Sequence, residues 1–304
     1  MTFGGYMKKR YLVGLCVLFI FLNGCSGCED SNGPDPSNYH SGTVGITMNF
    51  MTNSPPLSVY HGSVVPFFLE VRNLGAQDAS PNIWITGHDP EIVVITTTWN
   101  GANTGLIPGR GDTYPAGGYA TLEAKDVPVN LPEGVDTYSA NMKVTACYTY
   151  STLAAAQVCV DPDPTQNQDD ACAVHDVSLS GGQGAPVAVT HVKEETSSAG
   201  DVVFAITIEN QGDGTIINSA KVGACTTDVK ASDLDMVTLT SVKLSSKSIT
   251  DGCNPRDPLR MVNGKGVIYC KTNVAGNAYS TALQVEISYG YKSSISKTIN
   301  VRKV

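Results

Sequence analysis

Charge is what this chain of 304 residues has least of. Asp, Glu, Lys and Arg make up 16% of it, and the 20 basic residues are outnumbered by 28 acidic ones. A surface short of positive charge repels phosphate backbones, so no nucleic-acid partner is expected. The longest apolar run, Tyr11 to Leu22, covers twelve residues, where a spanning helix needs about 20. No helical period longer than a turn or two occurs after residue 25, strand-type residues outnumber helix formers and Gly is abundant at 30. The class expected is all-β. The signatures G-x-S-x-G, H-E-x-x-H, the P-loop and G-x-G-x-x-G are all missing. His88-Asp89 and His175-Asp176 are the sole His–carboxylate neighbours, and adjacent strand residues face opposite ways. We therefore expect no enzyme and no cofactor. A zinc site is disfavoured by five scattered histidines and by the lack of a C-x₂-C pair in the folded part. There is no N-x-S/T sequon either, hence no N-glycan acceptor.

What is present is a repeat. Tyr138 to Val160 (YSANMKVTACYTYSTLAAAQVCV) aligns without a gap on Tyr279 to Val301 (YSTALQVEISYGYKSSISKTINV), each position 141 residues from its counterpart. Upstream, Val65 to Gly75 parallels Val202 to Gly212, with Asn73 on Asn210. Two copies of one module follow. Within the downstream stretch Met142, Val144, Ala146, Tyr148 and Tyr150 alternate with polar residues, as Leu283, Val285, Ile287, Tyr289 and Tyr291 do. Period two predicts a strand, and a short polar or small break, Ser151 to Ala155 or Lys292 to Ser294, predicts a return. Each copy should thus end in a β-hairpin. A turn near Leu153 would set Tyr148 against Val158 and Cys147 against Cys159.

The amino terminus reads as a targeting segment. Lys8, Lys9 and Arg10 precede the twelve-residue apolar run, as in a secretory signal. The run ends Leu22-Asn23-Gly24-Cys25, which resembles the lipobox of prokaryotic lipoproteins. That resemblance implies removal of residues 1–24, diacylation of Cys25 and a membrane anchor on the outer face of the cell. Removing the three n-region charges leaves 20 − 3 = 17 basic against 28 acidic residues, a net of −11. Residues 25–41 carry the lipid site and a Ser-, Gly-, Pro- and Asp-rich tether.

Residues 42–160 and 186–304 read as the two modules, joined by an Asp-, Pro- and Gly-rich linker, 161–185. Strands are expected at 44–50, 64–72, 82–86, 91–99 and 119–129, and at 186–194, 201–210, 215–222, 236–244 and 265–273. A glycine-rich loop, 100–118, breaks the first series. Seven short strands per module predict two tandem immunoglobulin-like sandwiches. A long strand ending V-x-N-x-G, with a closing stretch rich in Tyr and Val, resembles the CARDB-like Ig modules of archaeal and bacterial S-layer-associated and cell-surface proteins. Such modules act as spacers, adhesins or polymer subunits.

Nine cysteines imply an oxidising compartment. With Cys16 in the signal and Cys25 in the lipid site, seven remain. Cys147–Cys159 is the first choice and Cys159–Cys172 its competitor; in the second module Cys253–Cys270 is preferred over pairs with Cys225. The oxygen ligands at Asp161, Asp163, Thr165, Asn167 and Asp169 resemble the opening of a calcium loop, but Gln166 and Cys172 stand where Gly and a carboxylate are required. A solvated linker without metal is expected. Arg110-Gly111-Asp112 is expected to be a polar loop tip. The function expected is structural or adhesive at the cell surface, with a protein or glycan partner. One alternative is a filament subunit that self-associates by donating residues 31–60 as a strand. The other is a ligand-binding accessory protein using Trp84, Trp99 or Tyr119.

Overall fold

The segments expected to fold back on themselves run straight on. Ser151 to Ala155 and Lys292 to Ser294 contain no Gly, Pro, Asn or Asp, the residues that turn a chain most strongly. In the computed structural model each copy's closing stretch is one strand of 24 residues. The structure describes residues 39–95, 99–165, 171–198 and 200–304, which belong to one compact unit. Cys25 and the tether as far as residue 38 lie outside the described residues.

The strands of the first copy are β1 (Ile46–Phe50), β2 (Ser58–Tyr60), β3 (Ser63–Asn73), β4 (Asn82–Thr86), β5 (Asn100–Asn103), β6 (Tyr119–Val129) and β7 (Thr137–Val160). The linker holds β8 (Val177–Ser178). The second copy supplies β9 (Val187–Ser198), β10 (Asp201–Asn210), β11 (Thr215–Ile217), β12 (Met236–Leu244), β13 (Lys247–Ser248), β14 (Cys253–Asn254), β15 (Leu259–Arg260), β16 (Lys265–Asn273) and β17 (Tyr279–Arg302). They build a three-stranded sheet, β1-β3-β6, a five-stranded sheet, β14-β16-β10-β9-β8, and a nine-stranded sheet with the path β13-β12-β17-β7-β4-β5.

β7 and β17 pair antiparallel from end to end, Thr137 with Arg302 and Val160 with Tyr279. Residues 137–148 of β7 therefore lie beside the second half of β17, and β4 flanks them at 143–147. Its remaining half lies beside the first half of β17, flanked in turn by β12. Each copy's sandwich is completed by an arm of the other, so the hairpin expected within each copy is replaced by strand exchange between copies.

Alternation fills both cores. Val65, Phe67, Leu69 and Val71 are buried on β3, and their counterparts Val202, Phe204, Ile206 and Ile208 on β10. They are matched by Met142, Val144 and Ala146 on β7 and by Leu283, Val285 and Ile287 on β17. Burying each large side chain contributes about 1.5–3 kcal/mol. At Pro55-Pro56 the chain leaves β1, which pairs with β3, for β2, which runs parallel to the end of β17.

Two expected strands differ. At 91–99 only a bridge from Val93 to Val129 forms among the described residues; Ile92 and Val93 still bury themselves. The strand expected over 215–222 stops at Ile217. There Asn218 caps a 3₁₀ turn, Ser219–Ala224, by accepting the Ala220 N–H, a local hydrogen bond that competes with the ladder. In the linker, β8 docks on β9.

Candidate functional site

Equivalent residues meet at the centre of the β7–β17 ladder. Thr149 pairs with Gly290, its own counterpart in the repeat, so a pseudo-two-fold axis passes between them. Beside it Tyr148 pairs with Tyr291 and Tyr150 with Tyr289. All four rings are buried, with centroids 5.6 to 6.5 Å apart in edge-on or tilted arrangements, the geometry that ring quadrupoles favour.

The hydroxyls repeat the symmetry. Tyr148 Oη accepts the Ile46 N–H at 3.2 Å and Tyr289 Oη the Val187 N–H at 3.3 Å; Ile46 and Val187 are equivalent positions. Tyr150 Oη donates to Asn73 Oδ1 at 3.3 Å and accepts the Gln77 N–H. Tyr291 Oη donates to Asn210 Oδ1 at 3.2 Å and accepts the Gly214 N–H at 2.8 Å. Asn73 and Asn210 each donate to the carbonyl four residues on, Gln77 and Gly214. A Cβ on Gly75 or Gly212 would collide with the hydroxyl of Tyr150 or Tyr291. The N-x-G turn and the Y-x-Y pair are thus one network, which the sequence showed only as two separate matches. Burial pushes all four phenols up, Tyr291 to about 12. Buried and hydrogen-bonded, they hold the two copies together.

The disulfides differ from expectation in one place. Cys147 bonds Cys225 and Cys159 bonds Cys172, so the pair Cys147–Cys159 is not made. On one straight strand twelve residues separate those two cysteines by about 40 Å. Cys147 instead faces outward into a small cluster of Trp84, Ile217, Val222 and Cys225, which brings the segment after β11 onto the first copy. Cys253 bonds Cys270 across the β14–β16 register.

Other candidate residues are engaged locally. The Arg110 guanidinium donates to the carbonyls of Tyr39 and Ser41, and its backbone N–H to Gly75. The 100–118 loop begins as β5 and buries Ile107, leaving Leu106 and Tyr114 at the surface. Trp84 and Trp99 are buried, whereas Tyr119 is 63% exposed, with the Arg72 guanidinium 5.1 Å from its ring centroid. In the linker, Asp161 and Asp163 accept backbone N–H groups two residues on. Asn167 and Asp169 lie outside the described residues, and no cluster of three metal-ligating side chains occurs among the described ones.

One constellation was missed. Strand pairing sets Ser178 beside His191, with Oγ 3.4 Å from Nδ1, and His191 Nε2 lies 3.4 Å from Asp176. No spacing in the sequence announces it, because the pairing of β8 creates it. All three side chains are at the surface.

No family model matches the chain. No curated protein matches it. Among solved structures, the collagen adhesin of S. aureus aligns over 89% of this chain and 95% of that one, at 11% identity and a TM-score of 0.12.

Proposed function

We propose that this chain is an exported lipoprotein, anchored to the membrane through Cys25, whose two strand-exchanged β-sandwiches serve as a rigid structural or adhesive body at the cell surface. The observation that carries this is the way the two copies are locked together. A ladder of 24 residues, a buried tyrosine cluster and the Cys147–Cys225 bond leave no free joint between them. Rigidity of that kind serves presentation. Three disulfides fit an oxidising, extracytoplasmic compartment, and no helix among the described residues is long and apolar enough to cross a membrane. We read the body as non-catalytic and keep the CARDB-like resemblance as part of the same reading. The filament alternative receives less support, because β1 already pairs with β3 in its own chain and buries Ile46 and Met48 there.

Metabolic labelling with a palmitate analogue tests the anchor. The chain should take up label and be shaved by protease from intact cells, and Cys25→Ser should lose the label and release the chain. An unlabelled or internal chain would refute the reading.

A further inference from the structure

On the outer face of the shared sheet, a cleft of about 550 Å³ opens between β7 of the first copy and the segment after β11 of the second. Its walls carry Lys143, Lys292, Thr226, Thr227, Ser294 and Asp213 over a floor that includes Ile217. The Cys147–Cys225 bond ties one wall to the sheet, and Lys292 Nζ is fixed by donating to the Cys225 carbonyl at 3.0 Å. Among the described residues no carboxylate lies within ion-pair distance of Lys143 or Lys292. The nearby Asp228 is taken by Lys221 at 2.7 Å, and Asp213 is the one carboxylate that shares the lining with the two lysines. Partial burial, and after it the Lys143 charge, lower the Lys292 ammonium below the usual lysine range. A chain expected to carry −11 thus places two cations and a single carboxylate in one cleft, and that local excess of positive charge calls for an anion.

We infer that this cleft binds a sparsely charged acidic saccharide, its carboxylate held by Lys143 and Lys292 and its hydroxyls by Thr226, Thr227 and Ser294. A bare inorganic anion would leave most of the volume empty. A dense polyanion would be repelled by the net negative charge of the whole chain. The volume lies in the usual range for small-ligand sites, and a polar, hydroxyl-lined wall suits a ligand that is itself mostly hydroxyl. This site deepens the adhesive reading above and rests on it.

Isothermal titration calorimetry on the folded, oxidised chain tests it with three probes: a tetrasaccharide alternating glucuronate and N-acetylglucosamine, a neutral glucose tetrasaccharide, and inorganic phosphate. The acidic tetrasaccharide should bind alone, and more weakly as salt rises. Lys143→Gln, at an exposed position, should weaken it about tenfold, the loss of one charge-assisted contact. The double variant with Lys292→Gln should abolish binding, and Lys243→Gln, remote from the cleft, should change nothing. Equal binding of the neutral sugar, equal binding of phosphate, or an equal loss in Lys243→Gln would each overturn the proposal. So would no binding at millimolar ligand. Surface display with no saccharide binding would sink this site and leave the anchored body; binding by a chain that never reaches the surface would do the reverse.

Discussion

Single atoms decide the fit at the waist. Tyr148→Phe and Tyr289→Phe each strand one buried N–H, of Ile46 and of Val187. Leaving such a group unpaired costs about 1–3 kcal/mol, and Tyr289→Phe should show the larger loss in urea unfolding, because Tyr289 Oη also lies 3.1 Å from Thr152 Oγ1. Gly75→Ala and Gly212→Ala should cost more than removal of the hydroxyl they would strike. Overpacking costs about 1–3 kcal/mol, and here the collision also expels a hydrogen-bonded tyrosine. Glu194 supplies a pH signature. One carboxylate oxygen accepts the Asp161 N–H, while the other is buried without a partner. Burial, opposed by that bond and helped by the Asp161 charge, pushes its pKa from 4.5 to about 7. The folded state therefore holds this proton more tightly than the unfolded state. The contribution is fully present below pH 4.5 and is lost as pH rises to about 7, a fall on the order of 3 kcal/mol. Glu194→Gln should remove that slope and be the more stable chain at pH 8; an unchanged slope would assign it to other groups.

Among the elements, those set by local pattern were legible and those set by pairing were not. The period-two runs located β3, β10, β12, β16 and the apolar faces of β7 and β17, because alternation is a property of the segment itself. The return at Leu153 was inferred from a break in polarity alone. Ser151 to Ala155 lacks Gly, Pro, Asn and Asp, and that absence was the available signal against a hairpin. Cys147–Cys159 followed from that hairpin and fell with it. Cys253–Cys270 needed only a local return within one copy. The Lys143–Lys292 cleft could not be read at all, since the two residues share a wall solely through strand exchange. Disulfide closures should rank by loop length. Cys147–Cys225 spans 78 residues, against 13 for Cys159–Cys172 and 17 for Cys253–Cys270. Loop entropy assigns about 4 kcal/mol to the first and about 3 to each of the others. Paired alanine replacements, compared by chemical unfolding of otherwise oxidised chains, should show Cys147–Cys225 as the largest loss.

At the scale of the whole molecule, neither copy is complete. A chain cut to residues 42–160 keeps β1, β3 and β6 but loses the arm of β17 that should lie beside residues 137–148, and the second half of its own β7 has nothing to pair with. Exposed edges of that length seek partners. The register names the partner: because Thr149 faces its own counterpart, a second copy of residues 42–160 can supply both missing arms with the same alternation on the same faces. Tyr148 of one chain would then meet Tyr150 of the other, where the full chain sets Tyr148 against Tyr291. Light scattering should therefore give a dimer for this fragment and a monomer for the full chain. Thr149→Pro should reduce the dimer, since proline cannot donate to a central ladder. A well-folded monomer of residues 42–160 would mean that β7 can bend back after all. The exchange would then be a choice made between copies and no necessity of the strand.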